Sequence, residues 1–190
     1  MHSDVLKVLI SEKEIADKVA ELGAKITKDY KSRTPVVISV LKGSVVFVAD
    51  LIRAMDVMTE IDFMVVSSFG SGVVSSGAVR IIRDIDISIE NRDVLIVEDI
   101  LDSGTTLEYL TGMLQDRNPA SLKIATLLDK PSRRKSNIVP DYVGFVVPDE
   151  FVIGYGLDYN EHYRNIPYIG VLKPNVYAKE HAEQLNIEIK

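Results

Sequence analysis

One continuous segment joins an apolar run, an acidic turn and a hydroxyl-rich helix start in the order Val94-Leu95-Ile96-Val97-Glu98-Asp99-Ile100-Leu101-Asp102-Ser103-Gly104-Thr105-Thr106. Its leading apolar residues predict a strand that is buried on both faces and ends at Glu98 and Asp99. A helix is predicted from about residue 105 to residue 116. The segment therefore indicates the strand, turn and helix of an α/β protein.

The flanking segments repeat this alternation. Ser11 and Glu14 form a Ser-x-x-Glu capping box, and apolar residues at helical spacing then predict a helix over about residues 12 to 30. Further strands are predicted at residues 36 to 41, 61 to 66 and 122 to 128, and a second helix at residues 45 to 56. This alternation predicts a parallel sheet of βαβ units, whose ligands bind at the carboxyl ends of the strands.

Two segments are less regular. Ile85, Ile87 and Ile89 alternate with polar residues, which is typical of a half-buried strand or of an extended edge segment. Residues 67 to 77 contain three Gly and five Ser, so they are predicted to form a mobile loop that acts as a lid. A long hairpin turn is the alternative for this loop.

Composition limits the class of protein. The chain has 190 residues, no Cys and a net charge of −6, which predict a single domain over residues 1 to 190 without disulfides, a thiolate zinc site or a Cys nucleophile. The acidic charge argues against nucleic acid as the main partner, because binding to phosphates needs a cationic surface. A signal-peptide pattern is absent from the N-terminus, and no apolar run approaches the roughly 18 residues of a membrane span. A cytoplasmic protein without a membrane partner is expected.

The acidic turn suits a sugar phosphate. Glu98, Asp99 and Asp102 place three carboxylates within five residues, and these groups repel one another unless hydroxyls, a metal ion or solvent compensates their charge. The hydroxyls after Asp102, a Gly and the N–H groups of a helix start form a phosphate cradle without any lysine. The alternative is that Asp102 or Ser103 only caps the helix.

This segment resembles the phosphoribosyl pyrophosphate motif of type I phosphoribosyltransferases. Five other segments resemble hypoxanthine-guanine phosphoribosyltransferases in the same order: Leu41-Lys42-Gly43, Ser68-Phe69, Leu128-Asp129-Lys130-Pro131, Pro148-Asp149-Glu150-Phe151-Val152 and Gly154-Tyr155-Gly156-Leu157-Asp158-Tyr159. Together they cover most of residues 8 to 172 and are more specific than one short motif. The resemblance implies a mainly parallel twisted sheet flanked by helices, with a core over about residues 8 to 150. It also implies a small hood, built from about residues 150 to 190 with the N-terminal segment.

The resemblance further implies an activity. Enzymes of this family transfer ribose 5-phosphate from phosphoribosyl pyrophosphate to N9 of a 6-oxopurine and release pyrophosphate with the help of Mg²⁺. The expected function is therefore purine salvage that converts hypoxanthine or guanine into IMP or GMP, with xanthine as a further candidate substrate. A homodimer or homotetramer is expected.

The family's site residues carry over to the matching positions of this sequence. By resemblance, Asp102 is the catalytic residue, a proton acceptor or electrostatic partner near purine N7, while Glu98 and Asp99 bind the ribose hydroxyls. The other expected roles are 5′-phosphate binding by Asp102, Ser103, Gly104, Thr105 and Thr106; pyrophosphate binding by Lys42, Gly43 and Arg164; purine binding by Lys130, Phe151 and Val152; a lid with Ser68 and Phe69; and Mg²⁺ binding by Asp158, Glu98 and Asp99.

Several of these residues also have ordinary structural explanations. Lys130 would then be a solvated surface charge, Phe151 a core side chain, and Asp158 and Arg164 exposed loop charges. The basic residues 133 to 135 are expected to form a solvated turn, with contact to product phosphate or to a neighbouring subunit as the alternative.

Three details of the family pattern concern its loops. Family members carry a cis peptide bond between the residues that match Leu41 and Lys42. This chain departs from the pattern at Ser44, where the pyrophosphate loop usually has a second Gly, and at Phe69, where the lid commonly has Tyr. The C-terminal stretch 178–190 is expected to pack against the body of the protein or against a partner subunit.

Two other functions match parts of the sequence. Asp102-Ser103-Gly104 also resembles the loop of aspartic proteases, but those enzymes need two such Asp residues, and this chain has one copy in an α/β pattern. A nucleotide-sensing, nucleic-acid-binding regulator on the same fold needs a basic face, which the net charge of −6 does not favour. Lys130, Asp158 and Arg164 together favour catalysis.

Overall fold

The computed structural model describes residues 2 to 68 and 79 to 177, with the backbone alone described at Ser68. The chain divides into two compact units. The larger unit holds residues 17 to 149, and the smaller unit combines residues up to 16 with residues from 150 onward. The predictions for Phe69, for the rest of the lid loop to residue 77 and for the stretch 178–190 lie outside the described residues.

Three α-helices and nine strands form the regular elements of the described residues. In chain order they are β1 (Val5–Ile10), α1 (Glu12–Asp29), β2 (Val36–Leu41), α2 (Val45–Ala54), β3 (Glu60–Ser68), β4 (Val79–Arg83), β5 (Asp93–Leu101), α3 (Thr105–Gln115), β6 (Ser121–Asp129), a 3-10 turn (Pro131–Arg133), β7 (Tyr142–Val146), β8 (Val152–Ile153) and β9 (Ile169–Leu172). Strands β3, β4 and β5 follow one another without a helix between them.

The larger unit is built on a six-stranded sheet of order β4-β3-β2-β5-β6-β7. All neighbouring strands in it are parallel except β4, which is antiparallel to β3. This confirms the predicted mainly parallel sheet. Because β2, β5 and β6 are adjacent and parallel, the loops after them leave the sheet at the same edge.

Helix α1 begins at the predicted capping box. The Ser11 backbone N–H donates to Glu14 Oε2 at 2.8 Å, and the Glu14 N–H donates back to Ser11 Oγ at 3.3 Å. The apolar residues at helical spacing, Ile15, Val19, Leu22 and Ile26, are all buried. Local hydrogen bonding therefore determines where α1 begins, and burial determines which face it turns inward.

Strand β5 is longer than predicted. Val94 to Val97 are fully buried, but the strand continues to Leu101 because Ile100 and Leu101 pair with Leu128 and Asp129 of β6. The prediction that the strand ends at Glu98 and Asp99 is wrong. These two carboxylates lie inside the ladder, where successive side chains point to opposite faces.

The region around β3 also differs from the prediction. Ser67 and Ser68 belong to β3 rather than to the loop, because they pair with Arg80 and Val79 of β4. The isoleucine-rich segment after β4 is not a strand, so the half-buried strand offered as one alternative is wrong. Asp62 fixes this segment, since its Oδ2 accepts the N–H groups of Asp86 at 2.7 Å and Ile87 at 3.0 Å.

The smaller unit contains a three-stranded antiparallel sheet of order β1-β9-β8. Its apolar cluster includes Val5, Ile153, Ile166 and Leu172. None of the helices in the described residues has the length and hydrophobicity needed to cross a membrane.

Candidate active site

The turn between β5 and α3 forms the centre of the candidate site in the larger unit. Gly104 has a φ of +79°, and a Cβ at this position would lie 2.0 Å from Ser136 Oγ, so glycine is required there. Helix α3 starts immediately afterwards, and the first turn of a helix leaves backbone N–H groups without intrahelical partners. A cavity of about 110 Å³ is lined by residues that include Glu98, Asp102 and Thr106. This arrangement can bind an anion.

Two neighbouring carboxylates precede the turn. Burial raises the pKa of Glu98 well above its usual value, and the negative charge of Asp99 raises it further. Asp99 accepts the N–H of Ile100 at 2.8 Å through Oδ1. The carboxyl groups of Glu98 and Asp99 together offer hydrogen-bonding oxygens suited to a diol.

The loop after β2 contacts these carboxylates directly. The peptide bond between Leu41 and Lys42 is cis, as the resemblance implies. A Cβ on Gly43 would lie 1.7 Å from Asp99 Oδ2, so the loop backbone is in close contact with this carboxylate and any larger residue would displace the Asp99 side chain. Ser44 is fully buried, and its Oγ lies 2.7 Å from Ser39 Oγ and also donates to the Val40 carbonyl. The Ser44 side chain therefore points into the core and leaves the loop surface as glycine would.

Lys130 follows β6 and is only 5% exposed. Its backbone N–H donates to the carbonyl of Leu101 at 2.9 Å, which places Lys130 beside the end of β5. The alternative that Lys130 is a solvated surface charge is therefore wrong. A buried ammonium group at the carboxyl edge of the sheet is rare unless it has a partner or a function.

The sequence predicted that the basic residues after Lys130 form a solvated turn, but the structure shows that they also make specific contacts. The Arg134 side chain is 16% exposed and forms an ion pair with Asp129. Its guanidinium also donates to the Asp102 carbonyl at 3.2 Å and to the Ile138 carbonyl at 2.7 Å. Arg133 Nε lies 3.1 Å from Asp102 Oδ1. The turn thus contacts the candidate catalytic residue.

The smaller unit carries the predicted base-stacking residue. The Phe151 ring is 40% exposed, so the alternative of a core side chain is wrong, whereas Val152 beside it is 6% exposed. Phe151 packs edge-to-face on Tyr159 and stacks with Tyr177, each with ring centroids 5.4 Å apart. An aromatic ring held in this way provides a rigid apolar surface.

An ion-pair cluster holds the loop after β8. Arg164 lies 2.8 Å from Asp158 and 3.2 Å from Glu161, while Asp158 Oδ2 accepts the N–H of Glu161 at 2.9 Å. The Arg164 and Asp158 side chains are 23% and 31% exposed, so they are not simply exposed loop charges. Arg164 Nε is buried and makes no hydrogen bond within the described residues, which leaves one donor available for an anion.

The predicted site residues therefore fall into two groups. The larger unit brings together Lys42, Gly43, Glu98, Asp99, Asp102, Ser103, Gly104, Thr105, Thr106 and Lys130 at the carboxyl ends of β2, β5 and β6, and Ser68 ends β3 of the same sheet. The smaller unit carries Phe151, Val152, Asp158 and Arg164.

Sequence reasoning missed several residues that support this site. The contact of Arg133 with Asp102 and the Arg134 network have no local signal, because they depend on tertiary packing of two loops. Ser39 had a signal, since a Ser within the apolar run 36 to 41 needs a buried hydrogen-bond partner. That partner is Ser44.

Comparisons with known proteins agree with this geometry. The family model "Phosphoribosyl transferase domain" matches residues 9–160. The hypoxanthine-guanine phosphoribosyltransferase of Bacillus subtilis (strain 168) is 60% identical over 177 residues, which are 93% of this chain and 98% of that protein. The crystal structure of a hypoxanthine phosphoribosyltransferase from Staphylococcus aureus has a TM-score of 0.90 at 56% identity, covering 93% of this chain and 96% of that chain.

Other relatives are longer. The bifunctional protein TilS/HprT of Listeria monocytogenes serotype 4b (strain F2365) is 56% identical over 179 residues, which are 94% of this chain but 28% of that protein. This chain therefore corresponds to nearly the whole of one kind of relative and to about a quarter of the other.

Proposed function

This chain belongs to the phosphoribosyltransferase family, among the hypoxanthine-guanine phosphoribosyltransferases, and we propose that it transfers ribose 5-phosphate from phosphoribosyl pyrophosphate to N9 of hypoxanthine or guanine. The products are pyrophosphate and IMP or GMP, as in purine salvage. One observation carries the proposal: the Asp99 carboxylate lies against Gly43 of the cis-peptide loop and directly precedes the anion-binding turn.

The turn binds the two ends of the sugar phosphate. Glu98 and Asp99 bind the 2′ and 3′ hydroxyls of the ribose, which the hydrogen-bonding capacity of their carboxyl groups supports. Backbone N–H groups of the first turn of α3, with the hydroxyls of residues 103, 105 and 106, bind the 5′-phosphate. Fixing both ends orients C1′ for displacement.

The reaction exchanges one bond at C1′ for another. The bond from C1′ to the pyrophosphate oxygen breaks and its electron pair leaves with pyrophosphate, while purine N9 donates the pair that forms the new bond. Asp102 accepts the proton that the purine loses at N7. Lys130 donates to purine O6 and stabilises negative charge there, a role that its burial supports.

Residues of the smaller unit act on the base and on the leaving group. Phe151 stacks on the purine face and the Val152 backbone bonds the base edge, which the exposed ring of Phe151 supports. Arg164 binds pyrophosphate, a role that its buried, unused Nε–H supports. Lys42 and Gly43 of the larger unit are assigned to the same ligand.

Mg²⁺ fits the carboxylates assigned to it. Asp158, Glu98 and Asp99 offer oxygen atoms, the ligand type that Mg²⁺ prefers. When bound, the ion neutralises charge on the leaving pyrophosphate. Across residues 2–68 and 79–177, no group of three or more His, Cys, Asp or Glu side chains is placed to hold a metal by itself.

The setting follows from the same proposal. We place the enzyme in the cytoplasm as a homodimer or homotetramer, with phosphoribosyl pyrophosphate and 6-oxopurine bases as its partners. Nothing in the comparisons supports the nucleotide-sensing regulator, because the relatives are named as enzymes.

A direct assay tests the function. Purified protein is incubated with phosphoribosyl pyrophosphate, Mg²⁺ and, separately, hypoxanthine, guanine, xanthine or adenine, and pyrophosphate release is measured. We expect turnover with hypoxanthine or guanine, dependence on Mg²⁺, and little turnover with adenine, which lacks O6. Absence of turnover with all four bases, or turnover with adenine alone, would contradict the proposal.

A further inference from the structure

The basic turn is docked along the phosphate-binding turn. The N–H of Lys135 donates to the Ser103 carbonyl at 2.9 Å, and the N–H of Asn137 donates to Glu108 of α3 at 3.2 Å. Gly104 lies against Ser136, as described above for its missing Cβ. The turn at residues 133 to 137 therefore packs directly against the phosphate-binding turn.

The two arginines of this basic turn differ in their contacts and in their exposure. Arg134 is committed to Asp129 and to three backbone carbonyls, so it positions the turn. The Arg133 side chain is 53% exposed and lies 3.1 Å from Asp102 Oδ1 and 3.5 Å from Asp149 Oδ1. Within the described residues Asp102 Oδ1 is buried and makes no well-aligned hydrogen bond. The pair of Arg133 with Asp102 is thus held by charge alone and is readily exchanged.

A bound nucleotide supplies a stronger partner for Arg133. A phosphate monoester carries nearly two negative charges at neutral pH, and its oxygens match the planar donors of a guanidinium. The phosphate turn itself contains no Lys or Arg between residues 98 and 106. The exposed guanidinium of Arg133 beside this turn can therefore compensate the charge of a bound phosphate.

We propose that Arg133 is a further phosphate-binding residue that exchanges partners. In the unliganded protein it pairs with Asp102, and on nucleotide binding it moves to the 5′-phosphate. The exchange leaves the Asp102 carboxylate available to accept the purine proton. Phosphate binding then prepares the catalytic residue, an inference that rests on the proposed function.

Ligand binding to variants tests the exchange. Ribose 5-phosphate and IMP are titrated calorimetrically into the wild-type protein, Arg133→Gln and the control Arg53→Gln, which removes an arginine that is 80% exposed on α2. We expect Arg133→Gln to weaken both ligands about tenfold, the usual effect of losing one charge-assisted hydrogen bond, with a smaller loss at high salt. Arg53→Gln should bind like the wild-type protein. Equal affinity of the wild-type protein and Arg133→Gln overturns the proposal.

A double-mutant cycle tests the role of Asp102. If Asp102 competes with phosphate for Arg133, then Asp102→Asn should tighten ribose 5-phosphate binding, and the gain should be larger with Arg133 present than in the Arg133→Gln background. An equal gain in both backgrounds overturns the exchange. If the wild-type protein binds neither ligand, the proposed function and this inference are both overturned. If the wild-type protein binds both ligands but Arg133→Gln binds them equally well, or Asp102→Asn gives the same gain in both backgrounds, this inference alone is overturned.

Discussion

Burial of the Glu98 carboxyl group has a structural cost, which accompanies its proposed role in ribose binding. It lies inside β5, where burial and the adjacent charge of Asp99 raise its pKa well above the usual value of 4.5. Between that value and the higher pKa of the folded protein, the unfolded chain loses a proton that the folded protein keeps. Stability is therefore lost as pH rises through this range.

Replacing Glu98 by Gln removes this loss. We expect Glu98→Gln and the wild-type protein to have similar free energies of unfolding near pH 4, and the variant to be increasingly more stable as the pH rises to 8. Urea denaturation at several pH values measures the difference, and Glu90→Gln on an exposed turn controls for loss of a surface carboxylate. A difference that does not change with pH would contradict the assigned burial effect.

Substitutions at the two ends of the phosphate turn should affect different kinetic parameters. Asp102→Ala removes the proposed proton acceptor, so we expect kcat to fall about 10²- to 10⁴-fold with a smaller change in the KM for phosphoribosyl pyrophosphate. Thr106→Val removes a hydroxyl that we propose to bind phosphate, so it should mainly raise that KM. Steady-state rates of pyrophosphate release measure both parameters. Equal effects on kcat and KM in both variants would refute this division of roles.

At the scale of single residues, the sequence shows which functional groups are present but not which tertiary contacts they make. The acidic and hydroxyl groups of residues 98 to 106 are local, so their suitability for a sugar phosphate could be seen directly. The contact of Arg133 with Asp102 joins two loops from different strands, and no spacing along the chain encodes it. For the same reason, Ser44 could be recognised as a departure from the family but not as a core residue.

Among the elements, the helices α1 and α3 offer a matched pair of glycines. A Cβ on Gly23 of α1 would lie 2.5 Å from the Ala54 carbonyl oxygen of α2, whereas a Cβ on Gly112 of α3 would meet nothing within 4 Å. Ala is favoured over Gly inside a helix by up to about 1 kcal/mol. In α1 the backbone clash should exceed this gain, while in α3 the gain should be realised.

We therefore expect opposite changes in the free energy of unfolding. Gly23→Ala should destabilise the protein by about 1 to 3 kcal/mol, as overpacking does, and Gly112→Ala should stabilise it by about 0.5 to 1 kcal/mol. Chemical denaturation followed by circular dichroism gives both values. Stabilisation by both substitutions would mean that α1 and α2 are not packed this closely.

The ends of some strands depend on their pairing with neighbouring strands, which cannot be seen in the sequence. Continuous apolar runs predicted β2 and β6 to within one residue, because both strands are buried on two faces. The end of β5 was misplaced because Ile100 and Leu101 are held by β6 rather than by their own pattern. The segment after β4 alternates like a strand, yet Asp62 takes the N–H groups that a neighbouring strand would have used.

For the molecule as a whole, prediction from sequence is limited because the smaller unit is built from two segments that lie far apart along the chain. The smaller unit joins residues up to 16 with residues from 150 onward, and β1 pairs with β9 across this separation. Periodicity did not identify β1 or β9, and the hood was predicted only from the family resemblance. The loop of Asp158 and Arg164 belongs to this unit, so local reading gave the residue types there but not their ion pairs.

The whole protein should fold without a metal ion, and Mg²⁺ should change its melting temperature only when phosphoribosyl pyrophosphate is also present. Within the described residues no cluster of metal-binding side chains is preformed, so chelation should abolish turnover while leaving thermal unfolding unchanged. Phosphoribosyl pyrophosphate with Mg²⁺ should raise the melting temperature, because a ligand that binds only the folded state stabilises it.

Circular dichroism melts with EDTA, with Mg²⁺ alone, with the donor alone and with both together measure this dependence. Ca²⁺ serves as a control for ionic strength and divalent charge, since it is larger and prefers more ligands than Mg²⁺. A melting temperature that falls with EDTA in the absence of substrate would show a resident structural ion. Such an ion would require ligands beyond those that the described residues supply, and the metal would then belong to the fold rather than to the leaving pyrophosphate.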